Sequence, residues 1–234
     1  MKPVRIVVLA NSWKHGDYCL AGIDIETGQW VRPVTELEDG RLPKKRMQLD
    51  GYWPKLLDVL DLPLAPDGPD FGFECENRAL LPGPWRRVGR VPLEDMHLYV
   101  EQPEFVLHNA ERHVTLVEMQ AKPFVERRTL MLVRVEGLHL HDANTVPFDK
   151  PQWRGTFQWG AATLVVPITD PVFCDRLNKG HRPTGPCLLT VSLGMPYKSP
   201  HDPAGTPPAC WKLIAGVLEL GSDDIAERTA EGRA

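Results

Sequence analysis

Residues 153–180, WRGTFQWGAATLVVPITDPVFCDRLNKG, restrict the fold more than any other stretch of the chain. Side chains alternate along a strand with period two, so Trp153, Gly155, Phe157 and Trp159 share one face and Arg154, Thr156 and Gln158 the other. Gly160-Ala161 can turn the chain, and residues 163–169 bring it back as a second strand. Thr169 or Asp170 then offers a helix cap and Pro171 suits the first helical position, so a short helix follows and Gly180 ends it. Strands are predicted at 129–136 before this unit and at 187–193 and 211–220 after it. Five strands with a short helix between the third and fourth is the element order of an OB-type barrel.

The rest of the chain has room for a partner of similar size, since 234 residues suit two units of about 100 each. Its 23 prolines and 19 glycines are spread throughout, which leaves few places for a long helix and favours short strands with frequent turns. The fold class is therefore mostly β. In the first half, strands are predicted at 4–10, 18–25, 30–34, 56–64, 73–79 and 85–91. Pro33 places the third of these at a sheet edge or a strand end. Residues 92–103 read as a linker, 105–117 show no clear pattern, and 197–209 form a long loop rich in turn formers. This divides the chain into 1–103, 104–221 and an exposed tail, 222–234.

Charge argues against a polybasic nucleic-acid binder, because the net charge is −4. The balance is uneven, however: residues 105–217 carry 12 basic and 9 acidic side chains. Five widely spaced cysteines without a CxxC pair point to reduced thiols in a cytoplasm. The apolar run near the N-terminus is too short for a signal h-region or a membrane span, so no membrane association is expected.

The aromatic face of Trp153, Phe157 and Trp159, with Arg154 beside it, is either a platform for stacked bases or barrel core. Trp30 and Arg32, two residues apart on one strand with Lys14 and His15 in a preceding loop, suggest a cationic and aromatic pocket. The runs Lys44-Lys45-Arg46, Arg86-Arg87 and Arg127-Arg128 suit solvated surface. His139 and His141 share a strand face but lack further ligands at metal-site spacing. Cys19 or Ser12 with His15 makes no triad, and neither GxSxG nor a Gly-rich phosphate loop occurs. No catalytic centre, metal site or cofactor is expected.

Several separate motifs together resemble the dual OB-containing domain family of prokaryotes. They are Asn11-Ser12-Trp13-Lys14, Cys19-Leu20-Ala21-Gly22, Gly28 through Val34 (GQWVRPV), Leu57-Asp58-Val59, Glu76-Asn77, Trp85, Thr169-Asp170-Pro171, Ser192-Leu193, and Lys212 through Gly216 (KLIAG). The resemblance extends to about residue 220 and departs at Trp13, which stands between Ser12 and Lys14. It implies two OB-like β-barrels packed together with few short helices, and a nucleic-acid-binding role in prokaryotic defence or mobile-element settings. The polar motif residues Lys14, Arg32, Glu76, Asn77, Asp170 and Lys212 then have two readings. They line a cleft between the barrels, or they lock the barrels through Arg32–Glu76 and Lys212–Asp170 pairs. The expectation is a non-catalytic protein that binds single-stranded nucleic acid or a nucleotide through the aromatic strand and the cleft. The alternative is a protein–protein adaptor or sensor working with a separately encoded enzyme; a metal-dependent hydrolase using Glu76 or Asp170 is a distant third.

Overall fold

The computed structural model describes residues 2–14, 16–47, 49, 51–144 and 150–221; His15 and the expected tail 222–234 lie outside them. The first half carries β1 (Val4–Lys14), β2 (Asp17–Asp24), β3 (Trp30–Val34), β4 (Asp58–Leu62), β5 (Asn77–Ala79) and β6 (Arg86–Arg90). Antiparallel pairs join β1 to β2 and β4, and β2 to β3. β3 runs parallel to β5, and a Leu64–Leu80 bridge links the ends of β4 and β5. These pairings close a five-stranded ring, with β6 added outside β4.

The second half carries β7 (His113–Thr115), α1 (Leu116–Gln120), β8 (Leu130–Val135), β9 (His139–Asp142), β10 (Trp153–Trp159), β11 (Ala162–Pro167), α2 (Pro171–Asn178), β12 (Cys187–Leu193) and β13 (Ala209–Glu219). β8 pairs with β12, and β12 with β13. Ile214 of β13 makes a parallel bridge to Ile168, just past β11. β11 pairs with β10, and β10 with β9, the continuation of β8 beyond residues 136–138. The second ring therefore repeats the order of the first, parallel contact included. α2 sits between its third and fourth strands, as the sequence predicts.

Three apolar cores explain why alternation is blurred in the central strands. Ile6, Val8, Leu20, Val31, Leu60 and Leu62 fill the first barrel. Val133, Phe157, Leu164, Phe173, Leu189 and Ile214 fill the second. The outer faces of both barrels meet in a third core, where Val7, Leu9, Ala21 and Ile23 pack with Leu130, Leu132, Leu188 and Ala215. A strand buried on both faces reads as a continuous apolar run, which is why residues 6–10 are IVVLA.

The two barrels meet at paired irregularities. Register shifts between Val8 and Ala10 leave Leu9 bulged from β1, and a shift at Thr190/Val191 leaves Ala215 bulged from β13. The Leu9 carbonyl accepts the Thr190 hydroxyl at 2.6 Å. A Cβ at Gly216 would lie 2.3 Å from that same carbonyl oxygen, so only glycine allows the approach.

Two expectations are refined. β3 is flanked by β2 and β5, so it is an interior strand, and of the two places expected for Pro33 it takes the strand end and not a sheet edge. Pro33 is tolerated because the β2 ladder ends at Trp30 and Val31, while Arg32 donates its N–H to Glu76 and Val34 accepts from Leu80. The predicted linker contains a 3₁₀ helix, Leu93–Tyr99, with Met96 buried in the core between the barrels. Leu93, Met96 and Tyr99 fall three apart, the repeat of a 3₁₀ helix. Among the described residues, no helix is long and apolar enough to cross a membrane.

Candidate functional site

The sequence-predicted residues divide among several places. Arg32, Glu76 and Asn77 form a buried polar node, with Glu74 as the member that the sequence reading missed. The Arg32 guanidinium pairs with Glu74, not with Glu76, and reaches Ser192 of the second barrel at 3.3 Å. Asn77 donates to Glu74 at 2.6 Å and to the Pro69 carbonyl at 2.7 Å. Glu76 instead accepts from the Thr129 N–H, the Thr129 hydroxyl and the Leu130 N–H, at 2.5, 3.0 and 3.2 Å, and so caps the start of β8. Burial opposes the Arg32 charge, yet Glu74 and Glu76 outweigh it and raise its pKa. Burial pushes Glu76 up, against the pull of Arg32 and Thr129. The node joins the barrels structurally.

Asp170 caps α2, accepting from Val172 and Phe173 at 3.0 Å, and its second oxygen accepts the Val217 N–H at 3.2 Å. It does not pair with Lys212. Burial pushes its carboxyl up to about 6 despite those three donors. In the unfolded chain the group ionises near 3.8. Its stabilising contribution is thus complete below about pH 4 and is lost as pH rises through about 6, roughly 3 kcal/mol in all. Asp170→Asn should therefore flatten the urea-unfolding stability profile between pH 4 and 6 relative to the native chain. An unchanged slope would contradict the assignment.

The aromatic strand is mostly committed to packing. Phe157 lies in the barrel core. Trp153 lies under the Arg182 guanidinium, 4.8 Å from the ring centre, and donates its indole N–H to Asn178 at 2.8 Å. Trp159 donates to the Pro103 carbonyl at 3.0 Å. Lys14 holds the Asp39 carbonyl. His139 and His141 are exposed, and no group of three potential metal ligands occurs among the described residues.

Two cavities gather the remaining residues. A cleft of about 520 Å³ between the barrels has Trp30 and Glu76 in its wall, with Glu101 and Arg128 paired at 2.6 Å beside them. Its rim carries the exposed Leu98, Phe124 and Val125.

The second cavity, about 280 Å³, lies on the outside of the second barrel. It brings together Arg154 of β10, Lys212 and Trp211 of β13, and Arg112 from the loop before β7. Val165, Val166 and Pro167 complete the wall, and none of the lining residues is acidic. Arg112 lies 5.4 Å from the Trp211 ring centre, and His113 packs against the same indole at 5.0 Å. Lys212 is fully buried and donates to the backbone and side-chain oxygens of Asn109, at 2.6 and 3.1 Å. Burial lowers its pKa to about 8, with Glu111 pulling the other way. Leu107 and His108, just before Asn109, both hold positive φ, of 48° and 77°. Sequence reading found Arg154 and Lys212 but not Arg112 and Trp211. The pairing of His113 with Trp211 spans almost 100 residues, and no local pattern announces it.

Residues 4–217, which hold both cavities and all of both rings except the last two residues of β13, match the family model of the dual OB-containing domain. The chain belongs to this family. Comparison with curated proteins finds no match. Within this dual OB protein the resemblance motifs serve two ends. Ala215-Gly216, Glu76-Asn77 and Asp170-Pro171 build the joint between barrels and the α2 cap, while Lys212 lies buried in the wall of the cationic cavity.

Proposed function

We propose that this dual OB protein is a non-catalytic module that binds single-stranded nucleic acid or a nucleotide through its second barrel. The cavity of Arg112, Arg154, Lys212 and Trp211 carries the reading. Three cations without a lining carboxylate attract phosphate, and an aromatic at the same mouth offers a surface for a base. An OB barrel supplies a rigid frame for such contacts. Four of the five thiols are unsuited to nucleophilic chemistry: burial pushes Cys75, Cys187 and Cys210 up to about 12 and Cys174 to about 11, so each of these stays protonated at neutral pH.

Arg154 is half-buried and makes no ion pair or side-chain hydrogen bond among the described residues, so it is available for a phosphate. Arg154→Ala should weaken single-strand binding and reduce the slope of log K against log salt by about 0.7, the value for one phosphate on a single strand. Unchanged affinity and slope would remove Arg154 from the site.

A second reading, docking of a partner protein, is favoured by the apolar rim of the inter-barrel cleft. Co-purification of a stable protein partner, with no nucleic acid retained, would move it ahead.

A further inference from the structure

We infer that the Arg112–Arg154–Lys212 cavity takes a terminal phosphate monoester, either the phosphorylated end of a single strand or the phosphate of a nucleoside monophosphate. The inference deepens the proposed function and rests on it.

Charge is the first argument. A phosphodiester inside a strand carries one negative charge, whereas a terminal monoester carries about −1.5 to −2 at pH 7. Three cations from three separate segments converge on one cavity, and nothing acidic lines it. That arrangement matches a dianion better than a monoanion.

Lys212 is the second argument. Its ammonium is fully buried, and its direct acceptors are the two neutral oxygens of Asn109. A buried charge without an opposite charge in contact is costly. An ammonium has three donors and Asn109 accepts two; because Lys212 is 0% exposed, an anion in the cavity it lines meets its charge across the wall rather than through a direct hydrogen bond. The wall of Val165, Val166 and Pro167 offers such an anion little competing water, and that strengthens attraction to the cations.

Size is the third. At about 280 Å³ the cavity falls just below the range of about 300–1,000 Å³ typical of ligand pockets. It suits one terminal nucleotide rather than a tract. Trp211, 37% exposed beside Arg112, is placed for the base attached to that phosphate.

The groups acting on Lys212 also set a pH dependence. Glu111, Arg112 and Arg154 lie around it, and His108 faces its charge from the preceding loop. The second ionisation of a phosphate monoester falls near 6, and the Lys212 ammonium titrates at about 8. Preference for the monoester should therefore peak between those values, falling below as the phosphate gains a proton and above as Lys212 loses one.

The test is fluorescence anisotropy with three single-stranded oligonucleotides of one sequence, bearing a 5′-phosphate, a 3′-phosphate or hydroxyls at both ends. A nucleoside 5′-monophosphate and its nucleoside serve as competitors, from pH 5.5 to 9. One phosphorylated end should bind at least tenfold more tightly than the hydroxyl strand, and the monophosphate should compete while the nucleoside does not. Lys212→Met should bring the ratio of phosphorylated to hydroxyl affinity near one. Should that variant misfold, Arg154→Ala should reduce the same ratio. Equal binding of all three strands would overturn the terminal-phosphate inference and leave single-strand binding standing. Binding of the monophosphate without any strand would keep the cavity's ligand and overturn the polymer reading. No binding by any of these molecules would overturn both.

Discussion

Glu74→Ala is expected to lower the unfolding free energy by about 3–5 kcal/mol, because it strands a buried guanidinium. Arg32 is 2% exposed and Glu74 3%, so water cannot replace the lost carboxylate. Arg32 keeps only the Ser192 hydroxyl and the field of Glu76, its Nε is already without a partner, and Asn77 loses an acceptor as well. Replacing both members, as in Arg32→Met with Glu74→Leu, should cost less than Glu74→Ala alone, since no guanidinium is then stranded, although Glu76 loses the pull of Arg32 and keeps only its Thr129 and Leu130 donors. Urea unfolding of the two variants decides the point. A single variant within about 1 kcal/mol of the native chain would contradict the view that this pair holds its charge in isolation from water.

Gly216→Val should be as damaging, for a steric reason. The added Cβ would sit 2.3 Å from the Leu9 carbonyl oxygen. That atom is backbone, and it already accepts the Thr190 hydroxyl, so it has no flexible side chain to yield. The barrels must separate at the meeting of their two bulges, with a loss at or beyond the upper end of the usual overpacking range of about 1–3 kcal/mol. Gly160→Ala is the contrast. Its Cβ meets nothing within 4 Å, and its cost is only that of a positive φ, about 1–2 kcal/mol. Comparable stabilities for the two variants would mean that the barrel contact at Gly216 is not tight.

Much of this architecture was legible in local pattern, and the reasons for the failures are physical. The strand, turn, strand and helix of residues 153–180 read correctly because alternation, Gly160 and Asp170-Pro171 are all local signals. Met131, Val133 and Val135 face the second barrel's interior, in keeping with period-two alternation, but Leu130 and Leu132 are buried too, against the first barrel. No period-two rule distinguishes a barrel outside that meets water from one that meets a second barrel. The polar residues suffered most from long-range pairing. Glu74 and Glu76 are two apart, and only the turn of the chain before β5 decides which of them reaches Arg32. Trp153 and Trp159 looked like stacking surfaces, yet Arg182, Asn178 and Pro103, distant in sequence, occupy them. Trp211 carries no local signal of a site, because its neighbours Arg112 and His113 come from the other end of the half.

The central claim is that the second barrel binds single strands, and anisotropy of labelled single-stranded DNA, single-stranded RNA and duplex DNA across a salt series tests it most directly. A cavity that admits one phosphate corresponds to a slope of log K against log salt of about −0.7 on a single strand. The account predicts preference for a single strand over duplex with a slope of that shallow order. Flat traces for all three polymers at roughly tens of micromolar protein, or equal binding of duplex, would contradict it.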